Sequence, residues 1–203
     1  MTATVAIGTQ PVALERDVRA ASLVRSALGD MPLVLWRCDQ GEIHVWEDNC
    51  PHRSVRLSAG RNLGDCLEDI YHGWRFGRDG ALISIHAAKG KELPRISARV
   101  LPVATGSGLV WAGAGNQAVP PTDFAITAGE VVMRPLPFSV GAASVAAACA
   151  GLEGLRILVS PTGRTSATAY GFVRRRQAES DADAARRANA TLSAARRKLE
   201  AAA

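Results

Sequence analysis

Short apolar runs broken by glycine-bearing turns constrain this chain more than any other feature of it. Leu33-Val34-Leu35-Trp36 and Ile43-His44-Val45-Trp46 flank Asp39-Gln40-Gly41. Trp74-Arg75-Phe76 and Ala81-Leu82-Ile83-Ser84-Ile85 flank Gly77-Arg78-Asp79-Gly80, and Leu101-Pro102-Val103 and Leu109-Val110-Trp111 flank Gly106-Ser107-Gly108. Runs this short are strand-length, and Asp-Gly and related turns return the chain antiparallel. From Val12 to about Ala112 the pattern therefore predicts an antiparallel β-sandwich or barrel.

The texture changes after Gly113. Gly113-Ala114-Gly115-Asn116 and Pro120-Pro121 read as a linker. Beyond it the sequence predicts a strand over Glu130 to Pro135, an Ala-rich helix from about Gly141 to Leu152, a hairpin (Arg156 to Ser160, then Ala167 to Val173) and a terminal helix. Ser180-Asp181-Ala182-Asp183 resembles a capping box. Ala185, Ala188, Leu192, Ala195 and Leu199 then give that helix one narrow apolar stripe. The expected organisation is a mainly β unit at 1–114 and a small α+β unit at 121–203.

Composition narrows the function classes. Met1 to Gly8 has neither the basic nor the apolar region of a secretory signal. No run reaches the ~18 apolar residues of a membrane span. A cytoplasmic protein without membrane contact is expected, with its four Cys as free thiols or ligands rather than disulfides. Residues 1–173 hold 16 basic and 15 acidic side chains, and 174–203 hold 8 and 4. The positive excess thus belongs to the tail. Arg174-Arg175-Arg176 lacks the interleaved aromatics of a base-stacking surface, so no nucleic-acid partner is expected.

One constellation carries chemistry. Cys50-Pro51-His52-Arg53 lies in a loop after a predicted strand, and residues 53–68 separate it from Asp69-Ile70-Tyr71-His72-Gly73-Trp74. With its flanks, Trp46-Glu47-Asp48-Asn49 before and Arg75-Phe76 after, this resembles the Rieske [2Fe-2S] motif, Cys-x-His, a spacer, then Cys-x-x-His. The chain lacks the extra Cys pair of the respiratory branch and is similar to the oxygenase branch, over about residues 12–114. Leu93-Pro94-Arg95-Ile96 and Gly108-Leu109-Val110-Trp111 belong to that likeness. The resemblance implies a Rieske-type antiparallel sandwich and a [2Fe-2S] cluster with two thiolates on one iron and two imidazoles on the other, an arrangement that raises the reduction potential. The implied ligands are Cys50, His52 and His72, with Asp69 at the position of the second Cys.

That departure leaves two alternatives. Asp is a harder ligand than thiolate but can bind iron, which would give a more labile cluster. Otherwise the cluster is absent, and Asp69 makes an ordinary loop hydrogen bond or pairs with Arg53 or Arg75. Cys66, three residues earlier, lies ~10 Å away along an extended strand and is expected to be buried, as are Cys38 and Cys149. Trp74 and Tyr71 are expected to pack beneath the loops. His44 is expected to face solvent from its strand, and His86 to be a surface residue before a Lys/Gly loop.

Histidine is absent from residues 87–203. The mononuclear iron of Rieske oxygenases needs two His and a carboxylate, which this stretch cannot furnish. The resemblance therefore implies an electron-transfer component that serves a catalytic oxygenase subunit and receives electrons from a reductase, in a hetero-oligomer. The alternative is a cluster-free structural or regulatory subunit packed on a catalytic homologue. Residues 121–203 would be a reduced form of the oxygenases' helix-grip domain.

Overall fold

Leu33, Val34, Leu35 and Trp36 are all fully buried, so the strand they form is covered on both faces. The protein is described by a computed structural model covering residues 3–6, 8–88 and 92–203. The N-terminal octapeptide includes Met1, Thr2 and Ile7, and the Lys/Gly loop after His86 includes residues 89–91. Those six residues lie outside the described ones.

Among the described residues the first half holds β1 (Ala3–Val5), β2 (Thr9–Leu14), β3 (Leu23–Leu28), β4 (Met31–Arg37), β5 (Ile43–Glu47), β6 (Arg61–Asn62), β7 (Cys66–Glu68), β8 (Arg75–Gly77), β9 (Leu82–Ser84), β10 (Val100–Leu101), β11 (Val103–Gly106) and β12 (Leu109–Gly113). The second half holds β13 (Glu130–Val132), β14 (Leu136–Phe138), α1 (Ala142–Cys149), β15 (Leu155–Gly163), β16 (Ser166–Arg174) and α2 (Asp181–Glu200). The three predicted hairpins are β4–β5, β8–β9 and β11–β12.

The antiparallel sheet β10-β5-β4-β3 faces the sheet β11-β12-β2. Side chains alternate across a strand. Leu33, Leu35, Ile43 and Val45 accordingly point into the core between these sheets, with Val12, Leu101 and Val110. Val34, Trp36 and Trp46 point the opposite way, into a second core shared with the sheet β6-β7-β8-β9. That second core contains Cys50, Leu57, Leu67, Trp74 and Phe76. One buried strand thus carries both the sandwich and the platform under the two loops of the predicted site. The fold is mainly β, an antiparallel sandwich followed by a small α+β segment, as the resemblance implies.

That segment is built on the long hairpin β15–β16, with β13 and β14 on the far side of β16 and β1 running parallel to β15. The start of the chain therefore joins the sheet of its second half. The predicted strand at 130–135 ends at Val132, and β14, not foreseen, follows it. The Ser180 hydroxyl accepts the Asp183 N–H at the start of α2, as the capping pattern required. Ala184, Ala188 and Leu192 of α2 are buried against the sheet. The apolar stripe thus begins one residue earlier than the expected Ala185, which is only half-buried. Four-residue spacing keeps 184, 188 and 192 on one face.

The two halves share a core. Leu14, Leu109 and Trp111 pack with Phe124, Leu158, Tyr170 and Phe172. The Ser160 hydroxyl donates to the Pro11 carbonyl at 3.0 Å. Arg156 donates to both Glu130 oxygens and to the carbonyls of Asp123 and Ala125. Its guanidinium also lies 5.0 Å from the centre of the Phe172 ring. Among the described residues no helix is long and apolar enough to cross a membrane.

Two outcomes follow from this joint. Phe172→Ala empties the shared core and is expected to cost about 3–5 kcal/mol in urea unfolding. Burial pushes the Glu130 carboxyl up, but hydrogen bonds from Arg156 and Thr127 outweigh it, and the group sits below the ordinary carboxylate range. A depressed carboxyl stabilises the fold above its unfolded value of about 4.3, and that contribution fades as pH falls through the lower folded value. Thermal melts should show a loss of stability below pH ~4 that is shallower in Glu130→Gln.

Candidate metal centre

The two loops that bear the motif are closed by their own backbones. Asp48, buried at the exit of β5, accepts the Ser58 N–H and hydroxyl, each at 2.7 Å. The Cys50 N–H donates to Val55 and the Ser54 N–H donates back to the Cys50 carbonyl, each at 2.8 Å. Gly60 then crosses β7 so closely that a Cβ there would stand 1.9 Å from the Glu68 carbonyl oxygen. No other residue fits at that crossing, which sets the first loop beside Asp69. In the second loop Gly73 has φ +65°, a left-handed turn that only glycine adopts freely.

Cys50 and Asp69 lie at the bottom of the site, with Asp69 only 3% exposed. The Cys50 Sγ is 3.9 Å from Asp69 Oδ2. Asp69 Oδ1 accepts the N–H groups of Tyr71 and His72, both at 2.8 Å, and Oδ2 accepts that of Trp74 at 3.0 Å. Of the two contacts expected for Asp69, a loop hydrogen bond or a pair with Arg53 or Arg75, the structure shows the loop bonds. Arg75 is bonded to Glu68 at 2.8 Å, Arg53 is exposed, and Asp69 takes backbone amides because the tight loop aims three of them at one point.

The two imidazoles lie above. The ring centres of His52 and His72 are 4.6 Å apart. His52 is half-buried and stacks on Trp74 at 3.9 Å with an interplanar angle of 5°. His72 is exposed. The four predicted residues thus lie together, Cys50 and Asp69 inside and the imidazoles outward. Burial and the neighbouring His72 and Arg53 hold the His52 imidazole below its ordinary pKa, which keeps it neutral and able to ligate. Burial raises the Cys50 thiol, with the Asp69 carboxylate adding to the effect against two backbone amides that lower it.

Two details bear on what the site can hold. A carboxylate offers about four lone-pair positions over its two oxygens. Oδ1 uses two on amides, and Oδ2 uses one on the Trp74 amide and one on the Cys50 thiol, which donates to it at 3.9 Å; that second position opens when the thiol gives up its proton to become a ligand. His52 Nδ1 is buried without a hydrogen-bond partner. A buried nitrogen of that kind is costly unless something coordinates it. The donor set of one sulfur, one carboxylate oxygen and two imidazoles therefore fits an iron–sulfur group with no amide bond surrendered.

Other expectations divide. Trp74 is buried beneath the loops as expected, but Tyr71 is 64% exposed and lies against His72 on the surface. The three amides gathered by Asp69 turn the loop tip outward, and Ile70, 66% exposed, goes with it. His44 does not face solvent freely. It is half-buried and stacks on Trp36 at 4.5 Å. Cys38, Cys66 and Cys149 are buried free thiols, and burial pushes Cys66 and Cys149 up to about 11. Sequence reasoning missed a polar cleft of about 580 Å³ beside His72, lined by Arg61, Glu68, Arg75 and His86. These residues come from β6 to β9 and its exit, and nothing in their linear order marks them as neighbours.

Comparisons with known proteins agree with this geometry. Residues 8–102 match the Rieske [2Fe-2S] domain family. The chain is 36% identical over 111 residues to the 4beta-methylsterol monooxygenase of Methylococcus capsulatus, covering 53% of this chain and 30% of that protein. It is 34% identical over 108 residues to the toluene-4-sulfonate monooxygenase system iron-sulfur subunit TsaM1 of Comamonas testosteroni, covering 52% of this chain and 30% of that protein. The match thus spans under a third of either relative. NdmB of Pseudomonas putida CBB5 superposes with a TM-score of 0.75 over 95% of this chain and 81% of that one, at 20% identity. That likeness concerns the fold, and its coverage reaches into the second sheet. Residues 8–102 are therefore a Rieske [2Fe-2S] domain, homologous to the corresponding part of Rieske oxygenase subunits.

Proposed function

We propose that this chain is a cytoplasmic electron-transfer component of an oxygenase system. Cys50, Asp69, His52 and His72 hold its [2Fe-2S] cluster, and residues 87–203 contribute no mononuclear iron site. The observation that carries this reading is the contact of Asp69 Oδ2 with the Cys50 sulfur, since loss of the thiol proton on ligation leaves Oδ2 a lone pair beyond its Trp74 bond. Such a cluster, when bound, supplies one-electron transfer at a potential raised by its imidazole ligands. The protein residues divide the work. Cys50 and Asp69 keep the anionic side away from water, and Trp74 fixes the plane of His52 by stacking. His72 reaches the surface, where Ile70 and Tyr71 offer apolar area to a partner.

The partners on this reading are a catalytic oxygenase subunit and a reductase. TsaM1 is named as the iron-sulfur subunit of a monooxygenase system, and a hetero-oligomer of that kind would place the His52 and His72 loops at an interface. We assign residues 1–114 to the Rieske-like unit, with β1 lent to the second sheet, and 121–203 to a reduced helix-grip domain. The sheet of β15 and β16 packed under α2 supports that assignment.

A second reading, a cluster-free subunit that packs with a catalytic homologue, is favoured by the same carboxylate. Asp69 satisfies three amides of its own loop and so holds the loop's shape without a metal.

Anaerobic expression followed by iron and sulfide analysis and EPR of the reduced protein separates the readings. The first predicts equal iron and acid-labile sulfide and a rhombic Rieske-type signal, lost in His72→Ala. Because His72 is exposed, that variant should change stability by less than ~0.5 kcal/mol. Absence of iron and signal after reconstitution, together with their appearance in Asp69→Cys, would establish the cluster-free subunit. On either reading Asp69→Ala leaves the buried Trp74 amide and the part-buried amides of Tyr71 and His72 without their acceptor and should cost about 3 kcal/mol in denaturant unfolding of the metal-free protein. A neutral result there would contradict the role given to this carboxylate.

A further inference from the structure

The turn of the β4–β5 hairpin carries a second group of metal-ligand side chains, separate from the cluster loops. Cys38, Glu42 and His44 each bring one donor atom, sulfur, carboxylate oxygen and imidazole nitrogen, to within 4.8 Å of the others. The register explains the convergence. Trp36 pairs with His44 and Arg37 with Ile43, and the Cys38 N–H donates to the Glu42 carbonyl at 2.9 Å. Cys38 and Glu42 are thus opposite one another next to the turn, and His44 is two residues along the same face. Gly41, with φ +87°, closes the turn tightly enough to hold them there.

An independent observation points to a ligand. His44 Nε2 is buried and has no hydrogen-bond partner. The ring cannot readily swing away from this position, because it is stacked on the fully buried Trp36. Cys38 is itself buried among the residues under the cluster loops, while Glu42 is exposed at the rim, which leaves a path for an ion from solvent.

We propose that Cys38, Glu42 and His44 form a binding site for a divalent zinc ion, with a fourth position open to water. Zinc accepts this mixture of sulfur, nitrogen and oxygen donors in tetrahedral geometry, at ~2.0–2.3 Å from each. Side chains already gathered at the end of a rigid hairpin need only small rotamer changes to close on it. Coordination releases the Cys38 thiol proton to solvent. The thiolate and the Glu42 carboxylate then balance the charge of the ion. The site lies at the end of the strands that also form the platform beneath Cys50, so the ion would clamp that platform from its far edge.

The test is a titration of the full chain, stripped with chelator, using Co2+ as an optical probe and Zn2+ as competitor. A Cys50→Ala variant removes the thiolate of the cluster loops, so that a thiolate-to-metal band in it cannot arise there. The expected result in that variant is one equivalent of Co2+ producing a thiolate-to-metal charge-transfer band that Zn2+ bleaches. Cys38→Ser should abolish the band. Glu42→Gln and His44→Gln keep the side-chain size and each should weaken binding by more than the ~10-fold typical of an outer-shell loss. Should Cys38→Ser fail to fold, these two variants decide. The proposal is overturned if Cys50→Ala abolishes binding, if Glu42→Gln and His44→Gln bind as tightly as the parent, or if no band appears.

Discussion

The buried carboxylate of Asp69 organises the part of this molecule that matters for function. Three N–H groups of one short loop end on it, so the loop has one shape. That shape sends His72, Tyr71 and Ile70 outward and brings Trp74 inward, where it supports His52. A buried charge would be costly alone, and here each oxygen is met by amides. On the proposed function, Asp69 would serve as a ligand while it anchors its own loop through three amides.

The anchor works only on a stiff base. β4 is buried on both faces, and its alternation assigns Leu33 and Leu35 to the sandwich core and Val34 and Trp36 to the core under the loops. β5 repeats the division with Val45 and Trp46. Gly60 then lets the first loop approach the Glu68 backbone more closely than any side chain would permit. The separation of Cys50 from Asp69 is thus set by strand register and one close crossing rather than by the length of the spacer between them.

Much of this was legible in the residues. The hairpins announced themselves through Asp39-Gln40-Gly41, Asp79-Gly80 and Gly106-Ser107-Gly108, because turn chemistry is local. The grouping of Cys50, His52, Asp69 and His72, the proposed ligands, was legible through their spacing. The role of Asp69 was not, because three amides meeting at one carboxylate is a property of a folded loop. Tyr71 looked like a core residue by its aromatic character, and the outward turn at Gly73 overrode it. His44 looked solvent-facing because Ile43 and Val45 alternate with it. In a strand covered on both faces, alternation assigns a residue to one core or the other and not to water. β1 joins β15 across most of the chain's length, a pairing that no local pattern signals.

On the proposed function, Asp69 serves as the fourth ligand while keeping its amide bonds. The most direct measurement is a crystal structure of protein purified without oxygen, with anomalous data at the iron edge. Iron is expected in the site, bonded to Asp69 Oδ2, with the N–H groups of Tyr71, His72 and Trp74 still directed at the carboxylate. A site free of iron after reconstitution, or iron held by Cys50 and the two histidines with Asp69 turned away, would contradict it.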